Sequence, residues 1–481
     1  MGPLFCLGMF PVLHQKSFTM SGIFWPSLTL PRGTLIAVFF VVCVSSASGW
    51  VKYDAALAQD NSASDQDGQS WYDSLRTQPT LITRPWLAEY GIALSGEVTQ
   101  FAFGIAGGIN NKAAPAPFGQ GDTVKYTGRG EYDVRFDLDK LVSLPHGRLL
   151  VRAEHWWGTY GNVSLKSGTF SPPVFPALLP TAADSEGQLF LTNFLYTQPL
   201  HKHFVMFVGK KDVLGDLDQD KFSGGDGTDQ FMNQALIANP ALLLGLPYSG
   251  FAGGFVIPGT DGHLLGWVRD PENRTERVLP NNLFSKGVIA GGELKIRLDP
   301  WGLPGHQSVG GIWKGFDQPD LGGFLEPPGQ FSDEETANSG TKSDAWTIYY
   351  GFDQHLQVYS EETYGEERGW GLFGRASLSD GNPTPIKWFV SLGVGGDSPF
   401  RGKERDTFGL GWFYTGASNE FGPFAKAAFA PRDGYGWELF YNFGVFPWLR
   451  ITPDVQLLKP GLENLASDWA FVGGLRVKVF L

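Results

Sequence analysis

Gly474-Leu475-Arg476-Val477-Lys478-Val479-Phe480-Leu481 ends the chain on an alternation that sets Leu475, Val477, Val479 and Leu481 against Arg476, Lys478 and Phe480. Successive side chains of a pleated strand point to opposite faces, so a period of two means that the two faces meet unlike surroundings. A soluble protein has little reason to end on so apolar a strand. A closed outer-membrane barrel must pair its last strand with its first, because lipid tolerates no open edge. The ending predicts a transmembrane β-barrel, with Leu475, Val477, Val479 and Leu481 toward lipid and Arg476 and Lys478 adding positive charge to the lumen wall.

Composition points the same way. The hydrophobic fraction is 42%, mean hydropathy is -0.12, and the one long apolar run lies near the N-terminus, which leaves no set of spanning helices. Any membrane embedding therefore comes from strands. The 64 glycines and 16 tryptophans suit turns, tight barrel packing and interfacial girdles. A formal net charge of -12 argues against binding to nucleic acid phosphates.

Lys16 and Arg32 precede the apolar run Leu35 to Val44, and the small residues Ser45 to Gly49 follow it. This is the order of a cleaved secretory peptide, with cleavage expected after Ala47 and Met20 an alternative start. A single anchoring helix is the other reading, for which the run is short. Cys6 and Cys43 both fall in or before this segment, so the mature chain is expected to hold no disulfide. The organisation expected is a signal peptide over 1–47, a flexible periplasmic lead-in over 48–80, rich in Ser, Asp and Gln, and one barrel domain over 81–481. A body of roughly 400 residues accommodates about 16 strands of about 10 residues each.

Interior segments repeat the code of the ending. Glu131, Asp133, Arg135 and Asp137 alternate with Tyr132, Val134, Phe136 and Leu138, and Glu293, Lys295 and Arg297 alternate with Leu294, Ile296 and Leu298. A soluble two-sheet sandwich also alternates, and the secretory signal and terminal strand favour the barrel over it. Further strands are expected at Leu149–Trp156, Phe204–Lys210, Trp346–Phe352, Leu356–Ser360, Trp370–Leu378, Trp388–Val394, Phe408–Tyr414 and Trp437–Phe443. Trp156, Trp157, Trp346, Trp370, Trp388, Trp412, Trp437 and Trp448 read as interfacial belt residues, with sugar stacking the lesser role. The long segments Gly158–Gly187, Asp212–Gly262 and Asp317–Ser343 exceed what a hairpin needs and are expected as outer loops.

Several stretches, in order along the chain, carry a likeness. They are Tyr126-Thr127-Gly128-Arg129-Gly130 with Asp137 to Leu141, Val208 to Asp212, and Gln230 to Leu236. Gly371 to Gly381, Arg401 to Gly411 with Asp406, Gly409 and Gly411, Pro453 to Gln456 with Pro460-Gly461, and Gly474-Leu475-Arg476 continue the series. Through them the chain from about Gly91 to Leu481 resembles the carbohydrate-selective outer-membrane porins of the OprB type. The resemblance implies a 16-stranded barrel through which mono- or oligosaccharides diffuse, with inward-folded loops and basic residues at the narrowest part. It implies no enzyme activity and no cofactor. The expected surroundings are outer-membrane lipid and the barrel-assembly machinery, and the barrel is either a monomer or a homotrimer. The family usually ends on an aromatic residue, whereas here Phe480 is penultimate.

For a sugar path, Arg offers a fixed fork of donors to arrays of hydroxyls, and an aromatic face covers the apolar side of the ring. Conduction favours several weak contacts over one tight pocket. Arg129 and Arg135 share parity with Glu131 and Asp133, and Arg152 shares parity with Glu154. Arg129, Arg135 and Arg152 are the eyelet candidates, with Glu131, Asp133 and Glu154 as counter-charges. The competing reading of each is a lumen-facing salt bridge that holds strands together. Lys210, Trp156 and Trp157 are secondary candidates, and of the two adjacent tryptophans at most one faces inward.

Asp216, Asp218, Asp220, Asp226 and Asp229 resemble a calcium loop, but Lys221 and Gly227 stand where an EF-hand needs Gly and Glu. The segment passes into Phe231–Leu244, which has the apolar spacing of a short helix with Asn239-Pro240 as a break, and it is also a candidate for the constriction loop. An outer-membrane glycoside hydrolase is the rival class, with Glu361 or Glu362 and Glu366 or Glu367 as an example of a carboxylate pair beside aromatics, set in a turn-rich segment. No serine nucleophile elbow, HExxH or Cys/His metal pattern occurs. A general or anion-preferring porin is the alternative within the channel class.

Overall fold

The computed structural model describes residues 84–110, 123–158, 162–180, 187–215, 217–278, 281–323, 340–359, 368–400 and 406–481. The expected signal peptide and lead-in, Asp216, and the glutamates at 361, 362, 366 and 367 lie outside the described residues. None of the described helices is long and apolar enough to cross a membrane.

Strands β1 (Ile92–Ile109), β2 (Val124–Asp137), β3 (Arg148–Trp157), β4 (Phe190–His201), β5 (Phe204–Asp212) and β6 (Ser249–Gly259) form the first part of the wall. The next strands are β7 (Gly262–Arg269), β8 (Val288–Leu298), β9 (Gly305–Gly315), β12 (Ala345–Val358) and β13 (Gly369–Ser379). The wall is completed by β14 (Ile386–Asp397), β15 (Thr407–Ala417), β16 (Gly434–Phe446), β17 (Leu449–Lys459) and β18 (Ala466–Phe480). These sixteen close into one antiparallel barrel. A separate ribbon pairs β10 (Gln318–Pro319) with β11 (Thr341–Lys342) inside the loop between β9 and β12.

Closure is made by the terminal alternating stretch. β18 pairs with β1 in a register that sets Phe480 beside Glu97, Lys478 beside Thr99 and Arg476 beside Phe101. Every backbone donor in lipid needs a partner, and a closed ladder is the strand solution to that demand. Leu475 is exposed on the outer face, and Arg476 and Lys478 are buried on the inner one.

The shortest turns, residues 202–203, 260–261 and 447–448, join strands at one rim, and the longest connections, 158–189, 213–248 and 316–344, leave the other rim. This is the asymmetry of an outer-membrane barrel, with short periplasmic turns and longer external loops. Leu294, Ile348, Leu392 and Leu439 are exposed on the outer face, and Trp346, Trp388, Trp437 and Trp448 are exposed as an interfacial belt requires.

Three expectations need correction. Trp346–Phe352 and Leu356–Ser360 are not two strands, since β12 runs without interruption from Ala345 to Val358. Asp212–Gly262 is not one outer loop, because its last part is β6 and a tight turn at the opposite rim, and the loop itself covers 213–248. Trp156 does not belong to the belt: it shares the inner parity of Arg152 and Glu154 and is 3% exposed.

The lumen is partly filled. The loop 213–248 folds inward and carries two short helices, Gln234–Ile237 and Pro240–Leu243, capped by the side chains of Asn233 and Asn239 at their starts. Pro240 at the first position of the second helix fits its fixed φ and missing N–H, so the Asn239-Pro240 break expected from sequence separates the two turns. Phe231, Met232 and Leu236 pack on Phe373, Phe389, Phe413 and Phe440 of the wall. Loop residues Val163, Phe170, Val174 and Ala177, from the connection between β3 and β4, join the same cluster. Glycine makes room for this docking: a Cβ at Gly411 of β15 would lie 2.6 Å from the Leu236 side chain and 3.1 Å from Phe231.

Candidate functional site

β2 and β3 pair so that Asp133 stands beside Arg152 and Glu131 beside Glu154. Inner parity puts Arg129, Glu131, Asp133 and Arg135 of one strand, and Arg152 and Glu154 of the next, on a single charged wall. Arg129 pairs with Glu131 at 2.9 Å, with Glu154 at 3.0 Å and with Asp226 of the inner loop at 3.1 Å. Arg152 pairs with Asp133 at 2.8 Å, with Glu131 at 3.0 Å and with Asp212 at 3.2 Å. Arg135 reaches Asp133 at 2.9 Å and retains 20% side-chain exposure, whereas Arg129 retains 3%. Glu154 is fully buried and accepts hydrogen bonds from the hydroxyls of Thr192 and Tyr248, both at 2.7 Å.

The six charged candidates on β2 and β3 are thus brought together, but on unequal terms. Buried ions are tolerated where each charge has close partners, and Arg129 and Arg152 satisfy that condition three times over. Arg135 is the most open of the three arginines. Lys210 lies apart, in β5, and donates to the backbone carbonyls of Thr275 at 3.3 Å and Arg277 at 2.7 Å. The Trp156 ring is enclosed, and Trp157, of opposite parity, stacks on His155 with centroids 5.3 Å apart.

The inner loop faces this wall and is tied to strands all round the barrel. On β16, Glu438 accepts from the amides of Met232 at 2.5 Å and Asn233 at 2.9 Å. On β13, Arg375 pairs with Asp218 at 3.1 Å and Asp220 at 2.6 Å and donates to the Leu236 carbonyl at 3.1 Å. On β8, Glu293 accepts from the Asp218 amide at 2.9 Å and Lys295 donates to the Gln219 carbonyl at 2.5 Å. On β9, Lys314 donates to the Leu244 carbonyl. The loop is thereby held across the lumen rather than projecting outside it.

Two loop carboxylates are pushed in opposite directions. Burial raises Asp218 to about 7 against the opposing charge of Arg375. Burial would raise Asp229 as well, but the charges of Lys478 and Arg450 outweigh it and hold this carboxyl well below the usual range. Asp218 and Asp220 are engaged by Arg375, and Asp220 also accepts from the Ser223 amide and hydroxyl. Among the described residues no group of three or more metal-ligating side chains is assembled.

Side chains left partly exposed around the loop are of both signs. Asp226, Asp229, Glu97 and Glu131 offer acceptors, and Arg135, Arg450 and Lys295 offer donors. Hydroxyl-rich neutral solutes both donate and accept, so such a border can exchange hydrogen bonds with them at successive positions. Sequence reasoning missed Asp226 and Asp229 as parts of this border, and missed Arg375. Alternation places Arg375 on the inner face, in the stretch Gly371 to Gly381, but its carboxylate partners lie more than 150 positions away.

A family model described as carbohydrate-selective porin, OprB family, matches residues 122–481. Among curated proteins, none matches. Among solved structures, the high-pH structure of Pseudomonas putida OprB aligns with a TM-score of 0.66 at 18% identity, covering 83% of this chain and 96% of that one. The low-pH structure of the same protein aligns at 0.45 and 13% identity, covering 83% and 95%. The outer membrane channel DcaP of Acinetobacter baumannii aligns at 0.46 and 11% identity, covering 81% and 97%.

Proposed function

Because this chain belongs to the OprB family of carbohydrate-selective porins, we propose that sugars diffuse through its barrel along a passage narrowed by the loop 213–248 and bordered by the charged wall of β2 and β3. The protein is an outer-membrane channel and not an enzyme. Diffusion down a gradient needs no energy source, and no covalent step is involved. The observation that carries the reading is the inner loop itself, which is tied across a closed barrel and paired through Asp226 with Arg129, on the wall that also carries Arg135 and Arg152.

Selectivity follows from the border. A sugar entering the passage exchanges hydration for hydrogen bonds with Arg135, Arg450 or Lys295 as donors and with Glu131, Asp226 or Asp229 as acceptors. Each contact is weak, so that release stays fast. Arg129 and Arg152 shape the site by fixing the carboxylates beside them. Residues 1–47 direct export, and the mature chain begins after Ala47.

Liposome swelling with a graded set of sugars, amino acids and phosphate tests this reading. Sugars are expected to permeate faster than the other solutes of matched size. Equal rates at matched size would replace sugar selectivity with general diffusion, and faster entry of phosphate would indicate an anion-preferring channel.

A further inference from the structure

We propose that Lys478 and Arg476 of the closing strand are positioning residues that seat the inner loop, so that the bore of the channel is set by the strand that seals the barrel. Four consecutive loop residues, 227–230, lie on β18. Lys478 reaches Glu97 of β1 at 2.5 Å and, on the loop, Asp229 at 2.8 Å and the Thr228 hydroxyl at 2.8 Å. Thr228 in turn donates to Glu97 at 3.0 Å. Arg476 donates to the carbonyls of Gly227 at 2.6 Å and Gln230 at 2.8 Å, and to the Asn442 side chain of β16 at 2.8 Å. From the neighbouring strands, Asn442 donates to the Asp229 carbonyl at 2.6 Å and Arg450 pairs with Asp229 at 2.6 Å.

Both cations of β18 are 1% exposed. A buried cation is stable only when its partners are in place. Here the partners come in two parts: Glu97 arrives when β1 meets β18, and Asp229, Thr228 and the carbonyls of Gly227 and Gln230 arrive when the loop docks. Lys478 draws on both events, since neither closure nor docking alone satisfies it, whereas Arg476 takes its partners from the docked loop and from Asn442 of β16. The two events therefore support each other, and the seat they form fixes Asp226, three residues before Asp229, at 3.1 Å from Arg129. A cation with this many oxygen partners acts on loop position rather than directly on the solute.

The inference rests on the barrel being a diffusion channel and not on its sugar preference, so the decisive readout is ion conductance without sugar. The full chain is reconstituted in planar bilayers as the parent, Lys478→Met, Lys478→Arg and, on the loop side, Thr228→Val/Asp229→Asn. Heat-modifiable migration in SDS reports barrel closure for each. Lys478→Met and the loop variant are expected to keep the folded band, to conduct more than the parent and to lose a single defined open level, while Lys478→Arg restores the parental level. The loop variant leaves β18 intact and so remains decisive if Lys478→Met does not fold. Parental conductance and a steady open level in the loop variant, or failure of Lys478→Arg to restore them where Lys478→Met alters them, overturns the proposal.

Discussion

Arg135 and Arg152 lie on the same wall, yet replacing them should give different results. Arg152 is matched by Glu131, Asp133 and Asp212, and removing one member of a buried set leaves the others uncompensated, at a cost of about 3 to 5 kcal/mol. Arg152→Ala is therefore expected to lower the temperature of heat modification in SDS, with any change in sugar block of the ion current following from a displaced wall. Arg135→Ala, already partly exposed, is expected to keep the parental melting behaviour and to weaken sugar block directly. Unchanged block in Arg135→Ala would remove that side chain from the sugar path. Asp218 gives a pH signature. Burial holds its carboxyl in the folded protein near 7, well above the ordinary carboxylate range, so the proton binds the folded state more tightly. That contribution to stability is fully present below the unfolded value and is lost as pH rises through about 7. Asp218→Asn should flatten the fall in melting temperature between about pH 4 and pH 7, and a slope as steep as the parent's would assign it to other groups.

At the scale of the element, alternation was readable where both faces keep their natural surroundings. β2 and the 293–298 part of β8 separate charge from apolar residues without error, and the structure puts their charged sides on the lumen. Val134 sits between Val151 and Leu94 on the outer face. Arg in its place is expected to impair membrane insertion, at about 2 to 4 kcal/mol near the midplane, and a normal yield of heat-modifiable protein would show that the position does not meet lipid. β1 was not legible in the same way. Its inner face presents Phe101, Phe103 and Ile105, because the inward-folded loops and not water cover it, and the polar half of the code is then missing. β15 shows Gly409, Gly411 and Phe413 inward for the same reason. These glycines carried part of the family likeness, and docking of Leu236 and Phe231 supplies their physical role. Gly411→Val is expected to push the loop helix off the wall, with overpacking of about 1 to 3 kcal/mol, raising conductance while the barrel still closes. An unaltered single-channel level would show that the loop tolerates the added side chain.

For the molecule as a whole, β18 closes the barrel on β1 and the docked loop occupies part of the lumen. Residues 474–480 pair with 97–103 of β1, so truncation before Gly474 strips that stretch of its partners inside lipid. No heat-modifiable form is expected from such a chain, and its appearance in SDS gels would mean that another strand can seal the barrel. Sequence by itself determined the barrel class, the closing strand, the inward parity of Arg129, Arg135 and Arg152, and the break between the two loop helices. Each of these depends on periods of two or on capping chemistry within a few residues. Only the tertiary structure decided that Arg129 and Arg152 are consumed by buried pairs, that Trp156 is enclosed, and that Arg476 and Lys478 hold a loop instead of lining open water. Those outcomes depend on Asp226, Asp229, Asp212 and Gln230 arriving from distant parts of the chain. Alternation tells a side chain which face it occupies, and the partner that meets it there is chosen by how the whole chain folds back into its own barrel.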